Sequence, residues 1–179
     1  MNHIDLYNLK ERFSGFIPSS QNDFFALETI REAISSAESG SFGVGAILVD
    51  DKTSEIVCRG KNKVFTQYRS DLHAEMDLLN KFESQHGSKS RELLKHMSLY
   101  TSLESCPMCL CRIITSGVSK VYHIADDERG GMVHLYTKLP DSWQEISADR
   151  IFEKAVCSQD LSELAFQVFL LTADLDRRL

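Results

Sequence analysis

The stretch MSLYTSLESCPMC, residues 97–109, changes character halfway along. Met97 to Leu103 reads as a strand, with Met97, Leu99 and Leu103 apolar and Ser98 and Ser102 between them. Pro107 then suits the first position of a helix, where its missing N–H has no acceptor to lose. Cys106 becomes the cap and Cys109 lies one turn further on. Gly117 closes this helix, and Val118 to Ala125 reads as the next strand. A strand, a helix opening on two cysteines, and a second strand form the nucleus from which the rest is placed.

Upstream, Ser20 and Asp23 have capping-box spacing, and Phe24, Leu27, Ile30 and Ile34 follow at steps of three and four. This predicts an amphipathic helix to about Ser39, stopped by Gly40. Val44 to Val49 reads as a strand, with residues 51–54 as a turn and Glu55 to Gly60 as its hairpin partner. Ser70 or Asp71 caps a second helix to about Glu83, with Met76, Leu79 and Phe82 on one face. Downstream, Asp126 to Trp143 is polar and glycine-containing, and a last helix runs from about Leu161 to Leu175. Helices alternating with strands after a hairpin imply an α/β fold. The expected form is a three-layer α-β-α sandwich around a mixed central sheet of about five strands. The length fits one domain over 1–179, with a core at about 20–126 and a loop and helical segment over 127–179.

Lys and Arg number 20 and Asp and Glu 26, giving a net charge of −6, which argues against a general nucleic-acid binder. No apolar run approaches the roughly 20 residues of a membrane span. The start lacks the basic flank and apolar run of a secretory signal, so a cytoplasmic protein is expected. Of the five cysteines, those at 106, 109 and 111 are bunched and those at 58 and 157 are isolated. That pattern reads as thiols or metal ligands, not a disulfide framework.

The chemistry lies in two short motifs, His73-Ala74-Glu75 and Glu104-Ser105-Cys106-Pro107-Met108-Cys109, each at the start of a helix. Both sulfurs can point to one spot at a helix N-terminus, whose dipole favours thiolate. Zinc takes such ligands, and His73 can supply a third from the facing helix start. Three protein ligands leave one position for water, the catalytic arrangement. Cys111 is the candidate to close a structural site, but two residues beyond Cys109 on a helix it is expected to point away. Glu75 need not bind metal, and a carboxylate beside an activated water is a natural proton carrier. A glutaredoxin-type redox motif would instead sit near the start of a much shorter chain.

His73-Ala74-Glu75 followed by Cys106-Pro107-Met108-Cys109 resembles the His-Ala-Glu and Pro-Cys-x-x-Cys signature of zinc-dependent cytidine-deaminase-like enzymes. The resemblance runs from about Asp23 to Ala125 and includes Gly45-Ala46-Ile47-Leu48-Val49 and Leu99 to Glu104. It implies a cytidine-deaminase-like fold, one Zn²⁺ on His73, Cys106 and Cys109, and Glu75 as the catalytic acid–base. It further implies Asn62, from a Gly-x-Asn segment, and the backbone N–H of Ala74 as substrate contacts. Histidine as first ligand is similar to the branch holding nucleobase, nucleotide and tRNA-adenosine deaminases. Ser105 stands where the family usually has proline. Arg69 to Leu72 departs from the common Asp-Pro-Thr-Ala, and the Asn-His-x-Val segment of the tRNA branch is missing.

The expected function is hydrolytic deamination of a nucleobase or nucleoside, of cytosine, cytidine or guanine type, releasing ammonia. Deamination of a tRNA adenosine is the alternative. A non-catalytic zinc module used in assembly is the alternative from another class. The family implies a homodimer. His123, on a strand, is expected to be a structural histidine ahead of a pocket residue, and Phe166, Phe169 and Leu170 packing residues of the last helix. Asp126 to Glu128 is expected to be a solvated loop, although the resemblance implies a substrate-reading acidic residue near here.

Overall fold

The capping box forms as the spacing predicts. In the computed structural model, which describes residues 5–173, Ser20 Oγ accepts the Asp23 N–H at 3.1 Å, and the Asp23 carboxylate accepts the Ser19 N–H at 3.1 Å. The helix it starts is preceded by α1 (Leu6–Gly15), which the sequence reading does not place. α2 (Gln21–Glu38) ends at Gly40, whose φ of +85° suits glycine. Leu27, Ile30 and Ile34 are buried as expected, but Phe24 is 44% exposed. Phe25 takes its place in the core, because the buried stripe runs through Ala26, Ile30 and Ala33.

The hairpin follows as β1 (Gly45–Asp50) and β2 (Ile56–Lys61), then a single turn of helix, α3 (Val64–Gln67). α4 (Ala74–His86) starts later than predicted. Its cap is His73, not Ser70 or Asp71, and the Asp71 carboxylate is engaged by Arg69 at 2.5 Å. Next come α5 (Ser90–Leu94), β3 (Met97–Leu103), α6 (Pro107–Ser116) and β4 (Lys120–Ala125). α7 (Asp141–Ile146), β5 (Ile151–Lys154) and α8 (Gln159–Thr172) complete the described chain. Asp174 and Leu175, placed in the last helix by the sequence reading, lie outside the described residues.

The five strands form one mixed sheet in the order β2-β1-β3-β4-β5. β1 runs antiparallel to β2 and β3, whereas β3, β4 and β5 are mutually parallel. β5 is the strand without a sequence signal. It is four residues long, at the edge, and Ile151 is 36% exposed, so nothing required an apolar face. α1, α2 and α8 pack against one another, α4 packs against both α5 and α6, and the strands contact helices of both groups. No helix among the described residues is long and apolar enough to cross a membrane.

Two glycines bring helices onto the strand ends that carry the chemistry. A Cβ on Gly60 would run into the Ala74 carbonyl oxygen and lie 2.7 Å from the Leu78 nitrogen, so the first turn of α4 rests directly on β2. A Cβ on Gly43 would lie 2.5 Å from the Val168 carbonyl oxygen. There the Gly43 N–H donates to Thr172 Oγ1 at 2.8 Å, which ties α8 beside the start of β1.

Candidate metal centre

His73 and Cys106 are the N-cap residues of α4 and α6 and share one backbone conformation, φ −67°, ψ 165° and φ −67°, ψ 168°. Neither side chain turns back to cap its own helix, so both are free to point into the gap between the two helix starts. His73 Nδ1 lies 3.6 Å from Cys106 Sγ. Cys109, one turn into α6 and fully buried, completes a group whose ligand atoms all lie within 4.8 Å of one another. A hydrogen bond from Cys109, helped by one from His73, holds the Cys106 thiol down at about 4 against the opposing effect of burial. Cys109, as the donor to Cys106 and buried, is pushed well up. The Cys106 sulfur raises His73 in turn. Two sulfurs and one imidazole are a donor set that fits zinc and leaves a fourth position open. Cys111 takes no part in the cluster.

Glu75 and Ser105 meet beside this cluster. Glu75 is 3% exposed, and burial raises its carboxyl group. The Ser105 hydroxyl donates to Glu75 Oε1 at 2.8 Å. His73, Glu75 and Cys106 line a cavity of about 220 Å³, whose apolar wall is made by Phe42, Val44, Leu103 and Phe169. A purine or pyrimidine ring is of the size and character such a cavity takes.

Asn62, just beyond β2, lines the same cavity. Its Oδ1 accepts the Ser41 hydroxyl at 2.7 Å and the Val64 N–H at 3.1 Å. That pairing commits Oδ1 to the protein. The residue thus caps a turn and faces the cavity at once. Ala74 is buried at the first position of α4, where helix N–H groups have no partner within the helix, but it does not itself line the cavity.

Three features of the site have no counterpart in the sequence reading. The Glu104 carboxylate accepts the His134 N–H and faces His134 Nδ1, both at 2.8 Å, and accepts the Asp127 N–H at 3.1 Å. It thereby fixes the loop after β4, so Asp127 and Gly130 line the cavity instead of belonging to a wholly solvated segment. Phe169 is the second feature. Expected only to pack α8, it also walls the cavity and a neighbouring groove of about 940 Å³. The third is the bond from Ser105 to Glu75. The spacing of Phe169 along α8 looks like any amphipathic helix, so no local signal distinguished it.

A second group of metal-ligating type, Glu104, His123 and Asp126, lies within 4.8 Å of one another. Its members already have partners. His123 Nε2 faces Asp126 Oδ1 at 3.0 Å, and Lys154 binds Asp126 Oδ2 at 2.5 Å. His123 is a structural histidine and does not line the site cavity.

Residues 19–125 match the family described as the cytidine and deoxycytidylate deaminase zinc-binding region. A tRNA-specific adenosine deaminase of Bacillus subtilis is 36% identical over 112 residues, covering 63% of this chain and 66% of that one. A guanine deaminase of Bacillus subtilis is 33% identical over 95 residues, covering 53% and 56%. Among solved structures, a tRNA:A34 deaminase superposes with a TM-score of 0.66 at 22% identity, over 81% of this chain and 98% of that one. At that identity the superposition speaks for the fold.

Proposed function

This chain belongs to the cytidine and deoxycytidylate deaminase zinc-binding family, hydrolases of carbon–nitrogen bonds, and from that premise we propose that it removes the exocyclic amine of a purine. The observation that carries the reaction is a buried Glu75 facing the same cavity as a His73, Cys106 and Cys109 donor set. His73, Cys106 and Cys109 would hold zinc, which supplies acidity to a water at the fourth position. Glu75 carries the attacking water's first proton to the ring nitrogen and the remaining hydroxyl proton to the departing amine, so that ammonia leaves and a ring carbonyl forms. Asn62, which lines the cavity, orients the ring. Phe42, Val44 and Phe169 exclude bulk water and so strengthen these polar contacts.

Adenosine within a tRNA is the substrate placed first, ahead of the free cytosine or guanine type expected from sequence. Its support is the 36% identity over 112 residues to a tRNA-specific adenosine deaminase. A free purine is the second reading, favoured by the groove beside the cavity. Among the described residues that groove presents Asp126, Asp127, Glu128 and Glu163 with Arg129 as the one lining cation, an acidic balance that disfavours a polyanion. Ammonia release from tRNA, adenosine, adenine and guanine tests both. Turnover of tRNA alone supports the first reading, and turnover of a free purine with silent tRNA replaces it by the second. No release from any of them would overturn the reaction class. A cytoplasmic homodimer is part of the same proposal, and sedimentation checks the dimer.

A further inference from the structure

We infer that Ser105 is a positioning residue for Glu75, fixing the orientation of its carboxylate in the cavity beside the metal donors. The inference rests on the deaminase reading above. The last torsion of a glutamate is broad and roughly two-fold, so a carboxylate that must relay a proton needs an anchor. Glu75 Oε1 has that anchor in the Ser105 hydroxyl at 2.8 Å. Glu75 is 3% and Ser105 1% exposed, so bulk water does not compete for the bond.

The anchor is itself fixed. The Ser105 carbonyl accepts the Met132 N–H at 2.9 Å, and the neighbouring Glu104 N–H donates to the Ala125 carbonyl at 2.8 Å. Ser105 is thus a rigid post between the end of β3 and the first cysteine. Through it, the start of α6 sets the orientation of a side chain on the start of α4. With Oε1 engaged, the carboxylate is held facing the cavity that His73 and Cys106 also line. Proline, which the family resemblance places here, has no hydroxyl to offer and would leave that orientation to other groups.

The test compares S105A and S105T with the wild type on the substrate the wild type turns over, with zinc content and thermal midpoint measured alongside. Loss of one hydrogen bond to a charged group predicts a kcat about tenfold lower for S105A, with KM within about twofold. S105T keeps the hydroxyl and should stay within about threefold of wild-type kcat. A second readout is urea stability. The effect of S105A should shrink when Glu75 is already glutamine, since the two side chains are coupled. Unimpaired kcat in S105A, or an equal loss in S105A and S105T with zinc retained, would overturn the role while leaving the deaminase reading intact. A wild type inactive on every purine substrate would overturn the reading and this role together.

Discussion

Residues 19–125 and residues 126–173 meet at one cavity but contribute to it differently. The first stretch supplies His73, Glu75, Cys106 and Cys109 from two helix N-termini, set by caps and by backbone packed on the sheet. The second supplies walls, namely Asp127 and Gly130 from a loop and Phe169 from α8. The family match covers the first stretch and stops at its end. The difference teaches that the donors all come from the first stretch, whereas the walls are shared, with Phe42, Val44 and Leu103 from the first and Asp127, Gly130 and Phe169 from the second. Chemistry needs particular atoms at particular places, whereas a wall needs only bulk on the correct side.

The sharpest way to break this division is to remove the metal donors. Replacing His73, Cys106 or Cys109 by alanine should abolish zinc binding and lower turnover by about 10³-fold or more, whereas Cys111→Ala should keep both. Metal analysis of the purified variants decides it. Gly43→Ala attacks the join between the two stretches, because its Cβ would lie 2.5 Å from the Val168 carbonyl oxygen. Overpacking of this kind should cost about 2 kcal/mol in a urea melt. Stability equal to the wild type would mean that α8 is not clamped there.

Phe169→Ala tests selectivity alone. It should join the cavity to the larger groove and lower kcat/KM for a free purine about tenfold relative to tRNA, with zinc unchanged. An unchanged ratio would assign Phe169 to packing only. The smallest effect concerns Asp23, which ties α2 to α8 by accepting the Ser158 N–H at 2.8 Å. The Ser19 hydroxyl, ahead of other hydrogen bonds, holds its carboxyl below the usual range. A group lowered in the folded state stabilises above its unfolded value of about 3.9, and that contribution is lost as pH falls through the folded value. The stability gap between wild type and Asp23→Asn should therefore be present at neutral pH and close below about pH 4.

The same division explains what could be read from the sequence. Caps, spacing and glycines are local, so the hairpin, α4, β3, α6 and the three donors were legible, and the cap at Ser20 formed as spaced. Assigning the cap of α4 to Ser70 or Asp71 failed because Asp71 pairs with Arg69, a competition invisible in the pattern. β5 escaped because an edge strand of four residues needs no apolar alternation. Phe169 and the Glu104 clamp on Asp127 and His134 depend on contacts 23 or more residues apart in sequence, and no local rule specifies those.

The central claim is that a buried glutamate beside a His/Cys/Cys zinc site carries out a hydrolytic deamination. Turnover of Glu75→Gln, measured on protein whose zinc content has been determined, tests it most directly. The account predicts one zinc per chain and turnover reduced about 10³-fold or more, because glutamine cannot accept the proton. Near-normal ammonia release from a zinc-loaded Glu75→Gln enzyme would contradict it.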